Sequence, residues 1–307
     1  MIRRARYLVA AAGSAAILAG VMTLAGATAA MAQAPLPSCA NGVRCTNNSG
    51  NVYTNTFSHG LAGYYGADDL GTHYRYVQTI VTATPGLKNL NGFGPADPNH
   101  EGGVGVSLCD VSSGKAAQVS LQYTVANGYE LKWAVGSFGP SGSFAKDPCI
   151  QTGFLHPQFF HGFGTIKGVN PGDKILLAIY YSTPNGPLFH QFSFGAIDIT
   201  QGIVRQAWSG GKFNLSLTEF GIGAFSAHNF IQGGAINPLD TFAANAVTCY
   251  SCPGAVPITS VQPVNPFLAG GLYEAQFTNT SGQVQMSPLD SLTPTSFNMW
   301  SGSTGGQ

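Results

Sequence analysis

The sequence predicts an all-β protein, a sandwich or barrel of many short strands, and three observations carry that prediction. Hydrophobic residues make up 44% of the 307-residue chain beside 41 glycines and 18 prolines, a composition that disfavours helices and suits strands joined by turns. From Asn51 onward, runs rich in Val, Ile, Thr, Tyr and Phe alternate with clusters of Gly, Pro, Asn and Ser. Charge is scarce: 13 basic and 13 acidic side chains are too few for a nucleic-acid-binding surface and too few for a disordered tail.

The chain opens on Arg3, Arg4 and Arg6, then an apolar or small stretch from Tyr7 to Gly26, then Ala30-Met31-Ala32. A positive segment, an apolar segment and small residues at alternate positions are what signal peptidase reads. Residues 1–32 are therefore expected to be a signal peptide cleaved after Ala32, with 33–50 as an N-terminal extension. The alternative is an uncleaved anchor, because the apolar run approaches the ~20 residues that span a bilayer. Both readings imply export. Ala5-Arg6 departs from a twin-arginine signal, and Pro35 to Ser38 before Cys39 lack the small residues of a lipoprotein site. The expected product is an extracellular monomer, secreted or wall-associated, with no membrane contact after cleavage. Without its three leading arginines it carries 10 basic against 13 acidic groups and is mildly acidic.

Six cysteines, at 39, 45, 109, 149, 249 and 252, form an even set in an exported chain and read first as disulfides. The least strained pairing joins Cys39 to Cys45, Cys109 to Cys149 and Cys249 to Cys252, although six cysteines allow 15 connectivities. Cys249-Tyr250-Ser251-Cys252 has redox-pair spacing, but no βαβ pattern surrounds it. A zinc site would need two further ligands at matching spacing, and none accompanies the pair.

Tyr74 to Thr84 sets Tyr76, Gln78, Ile80 and Thr82 on one face against Val77, Thr79, Val81 and Ala83 on the other, and Pro85 ends it. Strands are likewise expected over Ala117–Val125, Tyr129–Val135, Lys174–Tyr181, Phe189–Ile199 and Phe213–Phe220. Asn127-Gly128 is a hairpin signal, because both residues tolerate the positive φ of a tight primed turn. Gly86–Gly105 and residues 136–165 read as long loops, which either carry function or are surface excursions tied down by Cys109 and Cys149. No composition break or internal repeat divides the rest, so residues 51–307 are expected to form a single β-sandwich domain.

Common chemistries are missing. The chain has no Gly-x-Ser-x-Gly elbow, no His-Glu-x-x-His and no phosphate-binding glycine loop. His156 and His161 have no carboxylate nearby in sequence and read as packed or rim histidines. Asp68-Asp69 lacks a calcium-loop pattern and reads as a solvated turn. Glutamate is rare, at positions 101, 130, 219 and 274. Glu219 stands apart because Leu215, Leu217 and Glu219 would share one strand face, so that an acid continues an apolar stripe into a cleft. Burial there would disfavour the charged form and raise its pKa. The other reading of the same pattern is a strand-end glutamate turned to water.

Several segments, taken in order, resemble the glutamic peptidases, the eqolisin family, and identify the chain as similar to a divergent bacterial member. Leu61-Ala62-Gly63-Tyr64 followed by Tyr76 to Pro85 resembles the family's opening Trp-x-Gly-Tyr strand and the Ser/Thr-rich strand after it. Val104-Gly105-Val106 with Cys109 and Asp110 is similar to the Trp-Val-Gly segment and its acidic, cysteine-bearing turn. Ala117 to Val125 resembles the strand with the catalytic glutamine, which falls on Gln118. Tyr129 to Trp133 resembles the aromatic strand that lines the cleft, and Val169 to Ile175 the Pro-Gly-Asp turn. Leu217-Thr218-Glu219 falls where the family has Trp-Ile-Val-Glu, and Ser296 to Trp300 resembles the Ser-Phe-x-x-Trp ending. Ser120 replaces an expected glycine, Asn214 to Leu217 replace the residues before the catalytic glutamate, and the opening strand lacks its tryptophan. A shifted register would put Gly223 at the catalytic position and leave no activity.

The resemblance implies a concanavalin A-like sandwich of two antiparallel sheets, a jelly roll, acting as a secreted, acid-acting endopeptidase on polypeptide substrate. It implies that Glu219 activates water and that Gln118 holds the oxyanion, with Gln122 as fallback and no cofactor or metal. It also implies that Trp133 and Tyr129 form an apolar wall for substrate side chains, a core role being the other possibility. The competing functions are a noncatalytic, lectin-like or surface-binding sandwich and an exported structural protein, because fold does not fix function.

Overall fold

The computed structural model describes residues 52–55, 60–67, 73–84, 87, 102–110, 112–124, 127–137, 160–163, 168–182, 190–209, 212–226, 237–249, 256–257, 272–278, 284–289 and 297–301. Among these, the regular elements are all strands: β1 (Val52–Asn55), β2 (Gly60–Ala67), β3 (Tyr74–Thr82), β4 (Gly102–Asp110), β5 (Lys115–Thr124), β6 (Gly128–Ser137), β7 (Phe160–Gly162) and β8 (Lys174–Tyr181). Then follow β9 (Phe192–Asp198), β10 (Ile203–Trp208), β11 (Glu219–Ser226), β12 (Asn237–Cys249), β13 (Val256–Pro257), β14 (Leu272–Thr278), β15 (Val284–Leu289) and β16 (Phe297–Ser301). The signal segment, the extension, Cys39, Cys45, Cys149, Cys252, His156 and Asp68-Asp69 lie outside the described residues.

The strands form two packed layers. One has the order β10-β9-β8-β3-β12 and the other runs β12-β16-β15-β14-β2-β11-β4-β5-β6-β7, with β13 added on β12. Pairing is antiparallel throughout except for β1, which lies parallel to β14. The expected all-β sandwich of antiparallel sheets is what the chain forms.

Strand β12 belongs to both layers: Asn237–Phe242 pairs with β16, whereas Ala243–Cys249 pairs with β3. The change occurs at an irregularity between Ala243 and Ala246, where Ala244 has φ 50°. A bulge of this kind lets one strand turn the corner between sheets. Buried polar side chains hold it in place. Gln78 Nε2 donates to Ala244 O at 3.0 Å and its side-chain oxygen accepts from the Tyr76 hydroxyl, while Thr79 Oγ1 donates to Asn245 Oδ1 at 2.6 Å.

Between the layers, alternate residues of each strand form the core. Val104, Val106 and Leu108 of β4, Val119 and Leu121 of β5, and Phe220 and Ile222 of β11 meet Val77, Val81, Ile175, Leu177, Ile179, Phe192 and Phe194 of the facing sheet. Tyr74 meets Phe220 edge-on at 5.0 Å across the gap. At the β5–β6 hairpin Gly128 takes φ 78° but Asn127 does not have positive φ, and Gly128 pairs with Thr124, so residues 125–127 connect the strands in place of the expected tight primed turn.

Strand positions mostly match expectation, and three do not. Phe213–Phe220 is not a strand: residues 212–218 form no ladder and β11 starts at Glu219. The end of the expected Gly86–Gly105 loop is already β4. The expected 136–165 loop cedes Gly136 and Ser137 to β6 and contains β7.

Candidate active site

The registers of β2, β11, β4, β5 and β6 align rows of residues across five strands. One row reads Ala67, Glu219, Cys109, Ala116 and Gly136, and the next Tyr65, Gly221, Ser107, Gln118 and Ala134. The third is Gly63, Gly223, Gly105, Ser120 and Lys132, and the fourth Leu61, Phe225, Gly103, Gln122 and Glu130. Side chains two apart share a face, so Glu219, Ser107, Gln118, Ser120, Gln122, Glu130 and Lys132 lie on the face of this sheet turned away from the inter-sheet core. On that face the polar residues converge in the middle. Glu219 is 4% exposed, Ser107 2%, and Gln118, Ser120 and Gln122 0%.

Glu219 and Gln118 occupy adjacent rows on strands separated only by β4. Two strand spacings and one two-residue step place their Cα atoms roughly 12 Å apart, with Ser107 and Cys109 between them. The small residues around them clear the face: Gly221, Gly223 and Gly105 present no side chain. Gln122 lies two rows from Gln118 on the same strand and donates from Nε2 to Ser120 Oγ at 3.0 Å. Its carbonyl oxygen is buried with no hydrogen-bond partner among the described residues. Lys132 and Glu130, at the β6 end of these rows, pair with each other at 3.4 Å, and Asn127 Nδ2 donates to Glu130 Oε1 at 3.0 Å. Among the described residues no three His, Cys, Asp or Glu side chains gather as a metal site.

Trp133 and Tyr129 require a correction. They do not wall this face but stand on its reverse, in the inter-sheet core, because they register with Val119 and Tyr123 while Gln118 registers with Ala134. Trp133 stacks on Phe194 at 4.9 Å, and Tyr129 meets Tyr123 edge-on at 5.2 Å and donates its hydroxyl hydrogen to Thr84 O at 3.0 Å. The alternation of β6 sends 129, 131 and 133 inward and 130, 132 and 134 outward.

Comparison with known proteins gives likenesses of chain course. No protein-family model matches the sequence, and no curated protein does. The fold is similar to scytalido-glutamic peptidase with a transition state analog inhibitor, at 12% identity and TM-score 0.49, covering 78% of this chain and 97% of that one. The same peptidase with a peptide-based transition state analog gives 11% and 0.44 over 78% and 97% of the two chains. SCP-B, a member of the eqolisin family of peptidases, in a complex with the tripeptide Ala-Ile-His, gives 12% and 0.44 over 79% and 96%. At this level of similarity no chemistry is carried across, and what this face can do follows from its own residues.

Ser107 is a residue that reasoning from sequence missed. It sits in the Gln118 row, and its signal was available: a hydroxyl interrupting the aliphatic run Val104-Gly105-Val106-Ser107-Leu108. A second polar pair lies elsewhere, at the turn before β8. Asp173 and Asp198 are both buried, and Gln201 bridges them, donating its backbone N–H to Asp198 Oδ1 at 2.9 Å and its side-chain amide to Asp173 Oδ2. Burial and then the charge of Asp173 push the Asp198 carboxyl up, against the Gln201 N–H. Burial also acts on Asp173, but the Asn170 N–H at 2.7 Å, the Gln201 amide and Asp198 outweigh it and hold its carboxyl below the usual range.

Proposed function

We propose that this chain is an exported, acid-acting endopeptidase of the glutamic type. The observation supporting it is the shared buried face that carries Glu219 and Gln118 in adjacent rows, in a chain whose motif order resembles that family. Amide hydrolysis without a covalent nucleophile needs a base for water and a donor for the developing oxyanion. Glu219 takes a proton from water as the oxygen attacks the scissile carbonyl. Gln118 donates an amide hydrogen to the resulting tetrahedral oxyanion. The protonated Glu219 then gives its proton to the leaving nitrogen as the C–N bond breaks, which restores the carboxylate. A primary amide suits the donor role because it does not ionise.

Gln118→Ala tests this reading. The expected result is a loss of about 10²- to 10³-fold in turnover of denatured casein at acid pH, with the fold retained. Retention of the protein on polysaccharide, with no cleavage of any protein substrate, would favour the lectin-like alternative. Export is tested separately by sequencing the mature N-terminus, expected at Gln33 or beyond. A secreted product still carrying Arg3 to Arg6 would revive the anchor.

A further inference from the structure

Glu219 is the first residue of β11, so its position depends on how the preceding segment is held. Residues 213–218 have no strand partner, yet Leu215 and Leu217 are buried, and buried backbone polar groups require hydrogen bonds. Two come from backbone: Phe213 N–H donates to His190 O, and Tyr74 N–H donates to Leu217 O, both at 2.8 Å. Three more come from two side chains on different strands. Tyr181, the last residue of β8, donates its hydroxyl hydrogen to Phe213 O and accepts from Leu215 N–H at 3.2 Å. Asp110, the last residue of β4, accepts Ser216 N–H on Oδ2 at 3.1 Å. Its other oxygen accepts Ser112 N–H at 2.9 Å, Ser112 Oγ at 2.6 Å and Ser113 N–H at 3.2 Å, which fixes the carboxylate in a turn of its own.

Each group is fully used. A hydroxyl has one hydrogen, and Tyr181 spends it on Phe213 O, so towards His190 Nδ1 at 2.9 Å it accepts, and that ring nitrogen carries the proton. Asp110 is next to Cys109, the register partner of Glu219 on β4, so the same strand end that pairs with Glu219 also grips the chain three residues before it.

We infer that Asp110 and Tyr181 are positioning residues that fix Glu219 relative to Gln118. This rests on the reading of Glu219 as the base. Their ionisation suits the task. Burial acts to raise Asp110, but the bonds from Ser112, Ser113 and Ser216 more than offset it and hold the carboxyl below its usual range. Burial pushes the Tyr181 hydroxyl up and the Asp110 charge adds to the rise, against the Leu215 N–H, so the hydroxyl stays a donor.

The test uses the full-length protein, with Tyr181→Phe, which removes only the oxygen, and Asp110→Asn, whose single carbonyl oxygen can hold the Ser112–Ser113 turn or Ser216 but not both. Carboxyl NMR of glutamate-labelled protein is practicable because the chain has only four glutamates, and Glu219→Gln identifies the Glu219 signal. In both variants the Glu219 titration midpoint should move while those of Glu101 and Glu274 stay. Turnover should fall about 10- to 100-fold with KM within about twofold, the signature of a misplaced group. In the wild type, the Leu215 and Ser216 amides should exchange as slowly as those of β11. Rapid exchange there, or a Glu219 titration superimposable on wild type in a folded variant, would overturn the inference. If Glu219→Gln keeps its turnover, the peptidase reading fails, while the titration and exchange still decide the positioning claim.

Discussion

Glu219 and Gln118 are buried polar side chains on one sheet face, and a buried polar side chain needs a reason to be there; Glu219 was marked in the sequence by the rarity of glutamate, Gln118 only by the resemblance of its strand. Trp133 and Tyr129 were misjudged for a physical reason: period-two alternation separates two faces without saying which one is the core. Lys132 and Glu130, charged and paired, mark the outward face of β6, and that pairing was the available clue. The Asp173–Asp198 pair yields a prediction of its own. Asp198 has a raised folded-state pKa, so its contribution to stability is present below the unfolded value of about 3.9 and is lost as pH rises through the folded value. Asp198→Asn stays neutral and can still donate to Asp173 and accept from Gln201. It should therefore match wild type in thermal melts near pH 3 and be the more stable protein near pH 7. A variant less stable than wild type at neutral pH would contradict the upward shift of the Asp198 carboxyl.

Strands such as β3, β5, β6 and β8 could be read from Val, Ile, Thr and Tyr alone, since their ladders and their burial agree with their propensities. Two failures concern elements whose structure is set by distant partners. Residues 213–218 have a strand's alternation, but Tyr181, Asp110, His190 and Tyr74 take up their backbone groups in place of a ladder. Strand β4 looks like loop because glycine is frequent in it, yet its glycine is a packing requirement. Gly63, Gly223 and Gly105 lie in one row, and a Cβ on Gly105 would sit 2.1 Å from Val119 O of the next strand. Gly128, by contrast, has φ 78°, and a Cβ added there would point into open space with no heavy atom within 4 Å, so Gly128→Ala should cost only about 1–2 kcal/mol. Gly105→Ala overlaps backbone that can move only by breaking the ladder, and should cost about 3 kcal/mol or more. Urea midpoints compare them, and a Gly105→Ala cost no larger than that of Gly128→Ala would contradict the close approach of β4 to β5.

The chain forms a two-layer sandwich and carries only 13 basic and 13 acidic side chains, so acid stability is predicted, since few native ion pairs would be lost on protonation. The fold class was legible because composition and turn spacing are properties of the entire chain. The crossing of β12 between layers was not, because it depends on Gln78 and Asn245 meeting partners across a long sequence separation. The site itself adds a second reason for an acidic range: Glu219 must be ionised to activate water, and the proton it takes must then stay on its carboxyl until the leaving nitrogen receives it. Activity should fall on the acid side as Glu219 protonates and on the alkaline side as the proton supply fails. The measurement that bears most directly on this account is hydrolysis of denatured casein from about pH 2 to about pH 8 by wild type and by Glu219→Gln, each confirmed folded by a parallel fluorescence melt. Wild type is expected to be active with an acidic optimum and Glu219→Gln to be inactive across the range; normal turnover by Glu219→Gln, or a wild-type optimum near neutrality, would contradict it.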